Sequence, residues 1–126
     1  MIICRMTNNE YLQVVYLDDN GDRSPEVLQV KISPRELVNI ESFLTRGLKR
    51  SELSFMVCAY FDADVMVEGQ YCICLYHATQ KAVITIKGET IQLHFRLISD
   101  LIGEINKLVK EESVKVQVLE RVCVKL

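Results

Sequence analysis

Long apolar runs are missing from this sequence, because charged residues interrupt every hydrophobic stretch before it reaches the length of a bilayer-spanning helix. Residues 1–7 carry Arg5 and contain no apolar stretch long enough for a signal peptide. Low-complexity segments and linkers are also absent, and 126 residues is close to the commonest size of one domain. We therefore expect a single domain, residues 1–126, of a cytoplasmic protein with no membrane partner.

Histidine is scarce, since His77 and His94 are the only two in the chain. A cysteine nucleophile needs a histidine or a helix N-terminus beside it to lower its pKa. We expect His77 in a turn and His94 on the solvent side of a strand, so neither should activate a cysteine. The sequence also has no phosphate-binding glycine motif, dinucleotide fingerprint or zinc-protease motif. These absences favour a protein that is not an enzyme, with no catalytic residues and no cofactor.

A strong charge of either sign is absent too, because 15 basic and 17 acidic side chains leave a net charge of −2. This balance gives little long-range attraction to nucleic acid or anionic lipid. Arg46, Lys49 and Arg50 form a local basic cluster at the end of a predicted helix, where cations also stabilise the helix dipole. A single-stranded nucleic-acid-binding protein is thus an alternative that the net charge disfavours.

Cysteine, by contrast, is well represented, and its odd number of five favours free buried thiols in a reducing compartment over a disulfide scaffold. The residues are Cys4, Cys58, Cys72, Cys74 and Cys123. Cys58, Cys72, Cys74 and His77 are the one group with the ligand types of a zinc site, but a second closely spaced cysteine pair is missing. We expect no metal, and a small thiol- or zinc-dependent enzyme is the second alternative.

The first half of the chain reads as three strands followed by a helix. Strands are predicted at residues 1–6, 11–17 and 27–32, and turn-forming residues 18–25 make a hairpin of the last two. In the third strand, Leu28 and Val30 alternate with Gln29 and Lys31, so one face should be buried. Ser33 with Glu36 forms a capping box, and residues 34–50 carry one apolar helical stripe.

The second half repeats this order with more strands. Residues 53–61 have apolar residues on both alternating faces, as in a central strand, and residues 65–67 and 71–76 flank a turn at Gly69. Residues 81–95 form a hairpin in which Gly88 takes the first central position of a type II′ turn, so that Ile86 faces Ile91. A helix over residues 97–111 and a last strand over residues 113–126 complete the prediction.

The fold class predicted by these patterns is α+β. We expect a mixed, mostly antiparallel sheet of six to eight strands with two amphipathic helices packed on one face. The segments 28–32 and 91–95 echo each other, which suggests a weak internal duplication of about residues 1–50 and 53–112; generic strand alternation explains the same echo by chance.

The functional prediction depends on the apolar strand residues, which are more than two helices can cover. Two helices cover only one face of such a sheet, so apolar residues on the other face should be exposed. We expect a non-enzymatic protein–protein interaction factor, such as an adaptor, inhibitor, immunity-type regulator or chaperone-like protein, that forms a homodimer or binds an unidentified protein through a sheet face or edge. Acidic loops at residues 18–22 and 62–68 would steer a basic partner. The predicted contact residues are Tyr60, Phe61, Tyr71, Tyr76, Asp62, Asp64 and Glu68.

Overall fold

The computed structural model describes residues 1–8, 10–17, 26–53 and 63–125, with only the backbone path for residues 113–125. These residues form an α+β protein of seven strands, two α-helices and a short 3₁₀ turn, which confirms the predicted fold class. The strands are β1 (Ile2–Thr7), β2 (Tyr11–Tyr16), β3 (Glu26–Lys31), β4 (Ala63–Glu68), β5 (Tyr71–Tyr76), β6 (Lys81–Ile86) and β7 (Glu89–His94); the helices are α1 (Glu36–Glu52) and α2 (Ile98–Lys125), the latter preceded by the 3₁₀ turn Phe95–Leu97. The strand predicted over residues 53–61 falls outside the described residues except for Leu53, which lies in a turn.

The described strands form two antiparallel sheets instead of one. The first has the order β1-β2-β3 and the second has the order β4-β5-β6-β7. The number of strands and their antiparallel pairing agree with the prediction. The prediction of a single sheet is wrong, and the prediction that both helices cover one face of it is not confirmed.

The boundary between the sheets lies where β3 runs beside β7. A carboxylate oxygen of Glu26 accepts the backbone N–H of Gln92 at 3.1 Å, and Nζ of Lys87 donates to the backbone oxygen of Lys31 at 3.4 Å. Side chains thus occupy backbone groups that a strand-to-strand ladder would need. Side-chain contacts of this kind, and not a backbone ladder, bridge the two sheets at this boundary.

The hairpin of β6 and β7 has a different turn from the predicted one. Lys87 and Gly88 are its two central residues, with φ of 50° and 87°, as in a type I′ turn. Ile86 therefore faces Glu89, and Ile84 faces Ile91. The predicted register is wrong by two residues, but a shift of two leaves every side chain on its predicted face.

Helix α1 packs on the second sheet through its predicted apolar stripe. Leu37, Ile40, Phe43 and Leu44 are buried, and Gly47 comes so close to β5 that a Cβ there would lie 2.9 Å from Cδ1 of Ile73. The helix begins two residues later than predicted, since position 34 lies in a turn. Only half of the predicted capping box forms: the Ser33 N–H donates to Glu36 at 3.4 Å, and no side chain caps the helix.

Helix α2 is longer than predicted, because residues 113–125 continue the helix instead of forming a last strand. The β-branched residues Val114, Val118 and Val122 favour strand, but their spacing of four also suits a helix. No glycine or proline follows Gly103, so nothing in the sequence ends the helix. Among the described residues no helix is long and apolar enough to cross a membrane.

One hydrophobic core joins both sheets to both helices. Its members include Leu12 and Leu28 of the first sheet, Ile84 of the second, Phe43 of α1 and Ile105 of α2. The two helices pack against each other, and Nδ2 of Asn106 donates to Glu41 at 3.0 Å. The opposite side of the second sheet takes no part in this core.

Candidate interaction face

The side of the second sheet that faces away from the core is apolar near its β4 edge. Strand alternation places Val65, Val67, Cys72, Cys74, Tyr76 and Val83 there; we call these six residues the outer face. Backbone register joins them into rows, with Val65 opposite Cys74 and Cys74 opposite Val83. Val65, Val67 and Tyr76 are 53, 65 and 44% exposed, so no described residue covers them.

Polar side chains border the outer face on the β7 side. The hydroxyls of Thr85 and Thr90 lie 3.1 Å apart, and Gln92 is exposed. His94 is half-buried, and its Nδ1 accepts the N–H of Arg96 at 3.1 Å. Protein interfaces also combine an apolar centre with a polar border.

Two of the candidate zinc ligands meet on the outer face. The Sγ atoms of Cys72 and Cys74 are 4.0 Å apart, because alternate residues of a strand share one side. Burial raises the pKa of Cys74, and the hydrogen bond and charge of Cys72 raise it further. Burial, with the Glu104 carboxylate, raises the pKa of Cys4 to about 12. A raised pKa is the opposite of what an activated nucleophile needs.

The other two candidate zinc ligands do not join this pair in the described structure. His77 is buried beside Phe95, with ring centroids 6.1 Å apart, and neither ring nitrogen has a hydrogen-bond partner among the described residues. Cys58 lies outside the described residues. Within the described ranges, no three His, Cys, Asp or Glu side chains come together as a metal site would require.

The predicted contact tyrosines lie on opposite sides of β5. Tyr76 belongs to the outer face, whereas Tyr71 packs on the core side against Phe43, with ring centroids 5.6 Å apart. The Tyr71 hydroxyl donates to Glu36 at 3.4 Å, and burial together with the charge of Glu36 raises the pKa of Tyr71. Three further predicted contact residues, Tyr60, Phe61 and Asp62, are outside the described residues, as is the acidic loop 18–22.

The remaining predicted acidic residues form ion pairs with α1. Glu68 pairs with Arg46, and Asp64 pairs with Arg50 at 3.2 Å. These contacts neutralise carboxylates that were expected to steer a partner. They also neutralise two of the three cations in the basic cluster, and Lys49 alone is a weak attraction for a nucleic-acid backbone.

A polar network at the start of α1 was not predicted from the sequence. Glu36 accepts a 2.7 Å hydrogen bond from Lys87 and lies between two open clefts, one of about 420 Å³ beside Ser33 and one of about 380 Å³ beside Tyr71. Partial burial acts to raise the pKa of Glu36. The hydrogen bonds from Lys87, Ser33 and Tyr71, with the charge of Lys87, outweigh it and hold the pKa below its usual value.

This network makes stability depend on pH. A carboxylate whose pKa is lowered by folding stabilises the fold above its unfolded pKa, and this stabilisation is lost as the pH falls through its folded pKa. We expect Glu36→Gln to cost about 1 kcal/mol at pH 7 and progressively less below about pH 4. Urea unfolding at several pH values measures this. Glu89→Gln, at an exposed carboxylate at the start of β7, is the control, and an equal cost of Glu36→Gln at all pH values would contradict the prediction.

Comparison with known proteins finds no matching family model and no curated protein that matches the chain. Its function therefore has to be inferred from the residues themselves. The outer face is an apolar surface of the described structure that the hydrophobic core does not use; the first sheet has a smaller one, the cross-strand row of Ile3, Val15 and Val27, in which Ile3 and Val27 are exposed.

Proposed function

We propose that this chain is a non-enzymatic protein–protein interaction factor that binds its partner through the outer face. The exposure of Val65 and Val67 on a continuous apolar surface carries the proposal. Burying such a surface against a partner removes it from water, whereas leaving it exposed gives no benefit to an isolated fold. An adaptor, inhibitor, immunity-type or chaperone-like factor works in this way, by occupying a partner's surface.

The arrangement of the outer face, and not its size, supports this proposal. Three strands about 4.8 Å apart, each six residues of about 3.3 Å, span roughly 290 Å². The largest apolar patch of a soluble monomer is about 300–600 Å² and is often functional. Scattered apolar side chains need no such explanation, but here the backbone register places them in adjacent rows.

The β4 strand gives the same region a second means of contact. Among the described strands β4 pairs only with β5, so no described strand occupies its other edge, and a partner's strand could pair there. Its ion pairs with Arg46 and Arg50 lie on the core side and leave Val65 and Val67 accessible. A partner that covers the valines can therefore also pair with this edge.

The test is a charge placed on the outer face. Val67→Lys should weaken association with itself or with a partner at least tenfold, because binding would bury an unpaired ammonium group. Val38→Lys, at a 55% exposed position on α1, is the matched control and should bind like the wild type. Light scattering measures self-association, and quantitative pull-down measures partners. If Val67→Lys retains every association of the wild type, the outer face is not the binding surface.

A further inference from the structure

The proposed function leaves the partner of the outer face unidentified, and the two thiols on that face suggest it. We infer, resting on that function, that a second copy of this chain binds there and that Cys72 and Cys74 of both copies hold one Zn²⁺ ion between them. Each copy supplies half of a tetrahedral four-cysteine site, which is incomplete without the other.

The separation of the thiols fits one metal ion. A Zn–S bond is about 2.3 Å long, so two thiolates on a tetrahedral zinc lie roughly 3.8 Å apart. The Sγ atoms of Cys72 and Cys74 are 4.0 Å apart, so a shift of a few tenths of an ångström suffices. Structural zinc usually uses cysteines two to four residues apart on turns. On an extended strand, two cysteines with one residue between them lie on the same side, so they too can bind one zinc ion.

The remaining ligands have to come from outside the chain's described residues, because no third ligand joins the pair there. A two-fold axis through the metal relates the cysteine pair of one copy to the same pair of a second copy. The two pairs together complete the site, as in an isologous dimer. The two sulfur pairs of a tetrahedron are perpendicular, so the two β5 strands would cross at roughly a right angle. Orthogonal crossing at near 90° is an established way for two sheets to pack face to face.

The surroundings of the thiols suit a dry, closed metal site. The cross-strand neighbours of Cys74 are Val65 and Val83, and those of Cys72 are Val67 and Thr85. None of these four side chains carries a charge that would compete for the metal or repel it. Removal of water around the site strengthens the attraction between thiolates and the cation.

The area of the outer face explains why a metal is needed. A stable protein–protein interface buries about 800 Å² on each partner, and the roughly 290 Å² of the outer face is well below this. Apolar contact between two copies would therefore be weak by itself. Metal coordination adds to it, and makes dimer formation depend on zinc.

The chemistry is metal coordination without electron transfer. Four thiols lose four protons to the buffer as four Zn–S bonds form, and the ion stays Zn²⁺. Zinc binding therefore releases protons and should weaken as the pH falls.

The experiment uses the full chain, reduced, stripped with a chelator and titrated with zinc sulfate alone. Native mass spectrometry should show one zinc ion per two chains, and light scattering should show a monomer that becomes a dimer with zinc and reverts with chelator. Cys72→Ser and, separately, Cys74→Ser should lose both zinc and the dimer while keeping the wild-type circular dichroism spectrum. Cys4→Ala, at the buried core thiol, is the control and should keep both.

The other outcomes separate this inference from the proposed function. One zinc ion per monomer, or zinc retained in both serine variants, overturns the four-cysteine site. A zinc-independent association that Val67→Lys abolishes overturns the metal site but supports the outer face. An association that neither zinc nor Val67→Lys changes overturns both.

Discussion

Replacing Phe43 with alanine should destabilise the fold by about 3–5 kcal/mol, the cost of removing a buried aromatic side chain. Phe43 is 1% exposed and lies where α1 meets β5, with its ring 5.6 Å from that of Tyr71. The close approach of Gly47 to Ile73 fixes the helix near the sheet, so the cavity cannot collapse freely. Urea unfolding followed by circular dichroism measures the loss. We expect no more than about 0.5 kcal/mol from Val38→Ala on the exposed side of the same helix.

A loss below about 1 kcal/mol for Phe43→Ala would show that α1 does not pack on the second sheet as the structure indicates. The ratio of the two costs is therefore more informative than either cost alone. Both variants lie in one helix, so differences in helix propensity largely cancel.

Replacing Ile105 with alanine should cost about 2–5 kcal/mol, because this α2 side chain is fully buried. Helix α2 packs on α1 and on β1, and thus connects the first sheet to the rest of the core. If residues 1–126 are one domain, as predicted, Ile105→Ala should lower the midpoint of a single transition. Circular dichroism and tyrosine fluorescence should report the same midpoint. Lys107→Ala, at an exposed position nearby, should leave it unchanged.

Two separate transitions in Ile105→Ala would contradict the single-domain prediction. The same measurement in Phe43→Ala gives a comparison, because that side chain contacts the second sheet. Equal midpoints from both probes in both variants would show that the two sheets unfold together.

Alternation and helical periodicity predicted most of the elements. Leu28 and Val30 are buried while Gln29 and Lys31 are exposed, as the pattern of β3 indicates. Local patterns could not settle which residues form the turn at Gly88, since two registers bury the same side chains. The two sheets are bridged by contacts such as that of Glu26 with Gln92, which are 66 residues apart. The spacing of apolar residues within one segment gives no information about such a contact.

The sequence predicts the candidate site only in part, because residue type alone does not give the side of a strand on which a residue lies. Tyr71 and Tyr76 are five residues apart on one strand, and an odd separation places them on opposite sides. The same rule places Val65 and Val67 on the side of β4 opposite to Met66, and thus predicts which residues form the outer face. The pairing of Asp64 with Arg50 joins a strand to a distant helix residue, so sequence spacing could not reveal it.

The Glu26–Gln92 contact between the two sheets also affects how this fold can change in evolution. A backbone ladder fixes the angle between two strands whatever their side chains, but a contact made by one glutamate depends on a single codon. Substitutions at position 26 can therefore remove this bridge while every ladder and the core shared by the two sheets stay intact. The contact between the two sheets can thus change in evolution while the pairing within each sheet is kept.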